Sequence, residues 1–168
     1  NSPDTGSIAI GTRAGRFNNA NYNTFIGYES GIGNPANPLG ITGVETVSIG
    51  AYSLNKLQSG ASNSTFGYAA LFNNVSGSKN LAIGGFSLYN VNASGNIGIG
   101  YDAGHGVTSG SNNIFIGNNS GGLLNESDKL FIENTNANKD NALIYGDFAA
   151  DSLSLTAKTV VRDNAVIN

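Results

Sequence analysis

The sequence has no cysteine, no methionine and no tryptophan, and only one histidine and three prolines in 168 residues. Without cysteine there is no disulfide and no thiolate metal site. A single histidine cannot build an imidazole metal cluster. Charge is scarce too. Charged residues make up 11% of the chain, against about a quarter in an ordinary soluble domain. The net charge of -3, with no cluster of lysine and arginine, removes the electrostatic basis for nucleic-acid binding. No apolar run approaches the ~20 residues of a membrane span, so no membrane insertion is expected. No secretory signal is recognisable. The missing initial methionine and the strand-like ending NAVIN read as a piece of a longer chain.

What is present is glycine, 24 residues of it, with abundant asparagine and serine and evenly spaced Ile, Leu, Val and Phe. That even spacing argues against disorder. A hydrophobic-Ile-Gly segment returns throughout, closed by Gly11, Gly27, Gly50, Gly67, Gly84, Gly100 and Gly117. The intervals are 16, 23, 17, 17, 16 and 17 residues, and the long one contains the extra GNPANPLG, Gly33 to Gly40. A short fixed period means a stacked unit, hence a rod. The expected fold is all-β: a β-solenoid of 16- to 17-residue rungs over residues 1–126, interrupted at 34–40 and followed by a capping β segment at 127–168.

With the motif glycine as position 0, position -1 is Ile10, Ile26, Ile49, Phe66, Ile83, Ile99 and Ile116. Position -3 is apolar in five of seven rungs, and the residues between form a mixed set. Period-two alternation signals a strand with one buried face. The expectation is that the Ile column points inward and that position -2, including Phe25 and Phe115, points outward. Position +3 is always Ala or Ser and should face a narrow interior, whereas Arg13, Glu29 and Asp102 at +2 must face water. Leu54, Leu71 and Leu88 at +4 in consecutive rungs imply a thicker core mid-rod. Each rung leaves room for two strands of four or five residues. Asn23, Asn63, Asn80, Asn96 and Asn113 share position -4, either as an amide ladder between rungs or simply as turn residues.

Tyr28, Tyr68 and Tyr101 at +1, with Phe72 and Tyr89 at +5, recur outside this core. A thin coil with spare aromatics usually finds them a partner surface. Three coils about one axis would bury them, although compact coils can also stand alone. After Ser127 the pattern changes: LFIE keeps the strand with Glu133 in place of the glycine, and ALIYGDF, SLSLTA and KTVVRDNAVIN then read as a short β-meander closing the rod.

The strings NTFIGYESG, NSTFGYAAL, GSKNLAIG and GSNNIFIGNNSG resemble the coiled heads of trimeric autotransporter adhesins. They are even more similar to repeat regions of phage tail fibres and related bacterial surface proteins. In the latter, a stretch similar to LFIENTN, ALIYGDF and LSL often precedes a self-trimming chaperone domain. The resemblance implies a homotrimeric extracellular fibre at a cell or virion surface, facing a glycan or protein receptor.

Chemistry is sparsely provided for. His105 lies in Gly-His-Gly with no nucleophile and acid placed around it by the sequence. Glu29 and Asp102 share position +2 but lie four rungs apart, roughly 20 Å by strand spacing, too far for a glycosidase pair. Glu126, Asp128 and Glu133 could converge or form a polar cap. The GxG strings belong to the repeat and lack a βαβ context. No catalytic residue, metal ligand or cofactor is therefore expected. The candidate ligand contacts are Phe25 and Phe115, and Asn34, Pro35, Asn37 and Pro38 of the insertion, which would be either a binding loop or an inert spacer. A structural fibre segment is the favoured function. The alternatives are a carbohydrate-binding or carbohydrate-cleaving module and a self-assembling filament subunit.

Overall fold

The computed structural model describes residues 6–121, 125–136 and 138–156. Ten strands form one sheet in chain order. They are β1 (Ile8–Ile10), β2 (Thr24–Ile26), β3 (Val47–Ile49), β4 (Ser64–Phe66), β5 (Leu81–Ile83), β6 (Ile97–Ile99), β7 (Ile114–Ile116), β8 (Lys129–Ile132), β9 (Ile144–Asp147) and β10 (Ser152–Leu155). From β1 to β8 every pairing is parallel, and equivalent repeat positions face one another: Ile10 opposite Ile26, Ile26 opposite Ile49, and on to Ile132. Parallel neighbours joined by a single rung are the coils of a β-solenoid, as the period implied. No helix occurs among the described residues. Eight parallel strands at ~4.8 Å spacing make a rod of roughly 34 Å.

Each coil has one strand of three residues rather than two of four or five. Coil-to-coil bonding nevertheless continues past the strand, because left-handed backbone recurs at positions 0, +2 and +4. In the fourth coil these are Gly67 (φ 147°), Ala69 (52°) and Leu71 (54°). The alternation turns successive N–H groups up and down the rod. Ala69 donates to the Ala51 carbonyl above, and Leu71 donates to the Ser87 carbonyl below, both at 2.9 Å. At position 0 the coils touch. A Cβ on Gly67 would overlap the Gly84 carbonyl oxygen, so glycine is required there by space as well as by φ.

The two faces of the strand are the reverse of what the alternation suggested. Position -2 points inward: Phe25 and Phe115 are 1% exposed, and Ser48, Thr65 and Ala82 are fully buried. The Ile column points outward, with Ile10 at 58%, Phe66 at 41% and Ile83 at 38% exposed. The reason is volume. The narrow interior takes one side chain from -2 and one from +4, and their sizes compensate. Phe25 and Phe115 face Gly31 and Gly121, where a Cβ would overlap the phenyl ring. Ser48, Thr65 and Ala82 share their coils with the buried Leu54, Leu71 and Leu88. In the sixth coil both positions are glycine, Gly98 and Gly104, and Leu88 and Phe115 reach in from the adjacent coils. The +3 column does face inward as expected, and its hydroxyls are bonded, Ser30 to the Ser48 carbonyl and Ser87 to the Gly98 carbonyl, both at 2.9 Å.

Four of the five asparagines at -4 form a ladder; Asn23 stands outside it, separated from Asn63 by Thr46 at -4 of the intervening coil, and donates instead to Asn18 Oδ1 (3.0 Å) and the Gly43 carbonyl (2.8 Å). Asn80 Nδ2 donates to Asn63 Oδ1 (3.1 Å), Asn96 Nδ2 to Asn80 Oδ1 (3.3 Å) and Asn113 Nδ2 to Asn96 Oδ1 (3.1 Å). Each Oδ1 also accepts the backbone N–H of its successor, and Asn113 Oδ1 accepts that of Lys129. These amides are at most 2% exposed.

The insertion leaves the coil path intact. Residues 34–40 loop out and Ile41 returns to the core, completely buried and bridged to Asn18. The coils do not stop at residue 126, because β8 continues in parallel with β7. The direction reverses one strand later, where β9 pairs antiparallel with β8 and β10 with β9, giving the expected meander. Its third expected piece, KTVVRDNAVIN, lies outside the described residues.

Two stability predictions follow from this packing. Phe25→Ser should cost about 3–5 kcal/mol through the cavity it leaves, and Gly31→Leu a comparable or larger amount through overlap. The double variant, which copies the Ser48/Leu54 arrangement of the next coil, should recover most of the loss in urea denaturation. Asn96→Leu should orphan the buried Asn113 N–H and lower stability by about 1–3 kcal/mol in the same assay.

Candidate functional site

Positions +1 and +2 follow the glycine, outside the packed interior. Tyr28, Tyr68 and Tyr101 come from +1, Tyr52 and Phe86 from +2. Left-handed backbone at Tyr52 (φ 60°) and Phe86 (56°) brings both registers into one column. The five rings meet edge to face, with centroids 5.2, 5.7, 5.3 and 5.7 Å apart down the rod. Beside them, Phe72, Tyr89 and His105 at +5 stack face to face at 5.2 and 5.0 Å. Lys56 closes the upper end of that stack, with Nζ 5.3 Å from the Phe72 centroid.

One member of the +2 column is small. Ala69 lies next to the Tyr68 ring, which fills the column between Tyr52 and Phe86, and a groove of about 310 Å³ opens beside it. Tyr68, Phe72 and Tyr89 form its sides, and Glu29 and Asn55 its upper rim. A second depression, of about 380 Å³, begins at Asn55 and Lys56 and runs to Asn34 and Pro35 of the insertion, with Gln58 and Val75 completing it. Asn55 lines both, which places the insertion trough next to the groove.

Glu29 is the only acid lining the groove, and its charge is balanced. Arg13 Nη1 lies 2.6 Å from Glu29 Oε1. This bond, first, and those from Tyr28 and Asn55 hold the Glu29 carboxyl below its ordinary range. The same contact raises the Arg13 guanidinium further, and hydrogen bonding to Glu29 raises the Tyr28 phenol.

Of the residues singled out from sequence, Asn34 and Pro35 reach the trough. Asn37 and Pro38 do not line it. The Asn37 amide donates to the Gly40 carbonyl (2.8 Å) and accepts from Leu39 N–H (3.1 Å) within its loop, and its Nδ2 also reaches Gln58 Oε1 (3.5 Å). Phe25 and Phe115 are core residues and are withdrawn as contacts. Tyr52, Phe86 and Asn55 were missed. Their signal was available, since the aromatic column is complete once either +1 or +2 may supply the ring.

The remaining chemistry disperses. Asp102 Oδ1 lies 2.7 Å from His105 Nδ1, yet no hydrogen bond among the described residues joins His105 to a serine or threonine hydroxyl. The acids near the cap do not converge. Glu133 accepts the N–H groups of Asn134 (2.6 Å) and Leu143 (2.8 Å), and Asp128 accepts from Asn112 Nδ2 (3.1 Å). Glu126 lies 3.9 Å from Lys129 Nζ, which pairs more closely with Asp147 at 3.1 Å. No acid or histidine cluster suited to a metal occurs among the described residues. Comparison with family models, with curated proteins and with solved structures finds no match to this chain.

The Lys129–Asp147 pair ties the last parallel strand to the first antiparallel one, and its pH response has a definite sign. Lys129 holds the Asp147 carboxyl below its ordinary value, so the contribution is complete above about pH 4 and is lost as pH falls through the depressed value. Lys129 is raised, chiefly by Asp147, so its own contribution persists through ordinary alkaline pH. An NMR titration of the Asp147 carboxyl carbon should give a midpoint below that of a free aspartate, and Lys129→Ala should move it up.

Proposed function

We propose that the chain is a structural segment, shaft or head, of an extracellular fibre. It assembles as a homotrimer, presents multivalent contacts for adhesion or receptor recognition at a cell or virion surface, and has no catalytic activity of its own. The observation that carries the reading is the outward face of the parallel sheet. Position -1 places Ile10, Phe66, Ile83 and Ile99 there, each more than a third exposed. With its less exposed members and position -3, this column forms an apolar ribbon along eight strands.

A contiguous exposed apolar ribbon of this kind is the usual mark of an association surface. Identical rods arranged parallel about a common axis set each coil beside the same coil of its neighbours, so the contact repeats at every rung. Association costs about 4–15 kcal/mol, which apolar burial at about 25 cal/mol per Å² offsets only over an extended contact. Contact along the whole rod is therefore required, and a periodic sequence supplies it. The similarity of the repeats to trimeric fibre proteins points the same way. Three copies would also multiply weak individual contacts into useful avidity.

Sedimentation equilibrium of the purified chain should give three times the 17.2 kDa mass. Replacing Ile83 and Ile99 together by lysine should yield monomers with unchanged far-ultraviolet circular dichroism, because both side chains point away from the core. A monomeric parent chain would overturn the trimer, and release of products from an oligosaccharide would overturn the non-enzymatic reading.

A further inference from the structure

We infer that Tyr52 is the centre of an oxidative crosslinking site. A haem peroxidase supplied with hydrogen peroxide joins its ring to that of Tyr28 or Tyr68, and the new bond staples successive coils covalently. This goes beyond the fibre reading and does not depend on the trimer.

Two independent observations carry it. The first is geometry. The chain has seven tyrosines, yet only two contacts between tyrosine rings occur among the described residues. These are Tyr28–Tyr52, with centroids 5.2 Å apart, and Tyr52–Tyr68, at 5.7 Å. Each contact crosses from one coil to the next, and Tyr52 belongs to both. Phe86 takes the following place in the column, 5.3 Å from Tyr68 and 5.7 Å from Tyr101, and its ring has no hydroxyl to oxidise. The series therefore stops at Tyr68. Tyr28 is 42% and Tyr68 51% exposed, so an oxidant in solution reaches both ends of it.

The second observation is composition. Cysteine, methionine and tryptophan ordinarily absorb oxidising equivalents, and this chain has none of the three. One-electron oxidation is left to end on tyrosine. Each phenol gives one electron to the peroxidase and its hydroxyl proton to water, leaving a phenoxyl radical with spin on the two Cε carbons. When Tyr52 and a neighbour are both oxidised, a C–C bond forms between one Cε of each ring. The hydrogens on those carbons leave as protons and the two oxygens are reprotonated, which restores both aromatic rings. In all the chain loses two electrons and two protons, and one hydrogen peroxide accepts them to become two waters. The rings meet at 75° and 79° and must tilt for the Cε atoms to bond, a motion that partly exposed side chains make within about nanoseconds. Because the coils hold the partners in contact, coupling inside one chain outruns coupling between dilute chains. The bond closes a loop of 24 or 16 residues and so restricts the unfolded chain.

The test treats the intact chain, at low micromolar concentration, with a haem peroxidase and hydrogen peroxide. Dityrosine fluorescence, a denaturing gel and tryptic peptide masses are read. The product should run as a single chain, lack two hydrogens and unfold at higher urea than the untreated chain. Trypsin distinguishes the two links, since Tyr28 and Tyr52 share the peptide 17–56 whereas Tyr68 lies on 57–79. Tyr52→Phe keeps the ring and its packing, and should lower the fluorescence at least tenfold because Tyr28 and Tyr68 stand two coils apart. Tyr101→Phe should leave the signal unchanged. Phe86→Tyr should add a link from that position to Tyr68 or Tyr101. The inference is overturned by absent fluorescence, by a signal that survives Tyr52→Phe, by links that chiefly join two chains, or by an unchanged urea midpoint. The variant with Ile83 and Ile99 replaced by lysine keeps the two readings apart. Crosslinking retained there would leave this site standing even if the trimer failed, and a trimeric chain without dityrosine would do the converse.

Discussion

The distance between successive coils governs this molecule. It is set by backbone hydrogen bonds that run from each coil to the next, along the strand and then through alternating left-handed residues. At that spacing the backbones at position 0 nearly touch, which leaves room for glycine alone. The same spacing lets an asparagine donate from Nδ2 to its counterpart on the preceding coil and accept at Oδ1 from its counterpart on the following one. A run of buried, identical polar side chains would be costly in most folds. Here every member finds its partner one coil away, and the polar column becomes a spine.

Inside this frame the core works as a pairwise exchange of volume. A phenyl ring at -2 goes with glycine at +4, and a small residue at -2 goes with leucine at +4. The leucines adopt left-handed backbone, which costs of order 1–2 kcal/mol for a residue with a Cβ, so cavity filling outweighs local strain at those positions. Because the interior is satisfied by this exchange, the isoleucines beside it are left over. They form the outer face of the sheet.

The surface that departs from the repeat is concentrated on one stretch of the rod. A groove opens beside Ala69, and the seven-residue insertion emerges nearby, its Asn34 and Pro35 lining a second depression with Asn55 and Lys56. The solenoid supplies rigidity for the groove, since every wall residue stands on a coil hydrogen-bonded above and below.

Period, coil number, the looped-out insertion and the terminal meander were all legible in the sequence, because each depends on spacing along the chain. The asparagine ladder was legible as one of two readings for the same reason. Facing was not. Alternation states that neighbours point opposite ways and is silent on which way, and the apolar Ile column looked like a core because hydrophobicity alone does not distinguish a core from an interface. Only the three-dimensional packing, with Phe25 filling the space above Gly31, showed which set lies inside. The groove was hidden for a related reason. Tyr52 and Phe86 sit one position later than Tyr28, Tyr68 and Tyr101, and it took left-handed backbone to bring the two registers into one column, beside which the groove at Ala69 opens. Spacing along the chain determined the rod, and backbone handedness, which the spacing does not encode, decided what the rod presents.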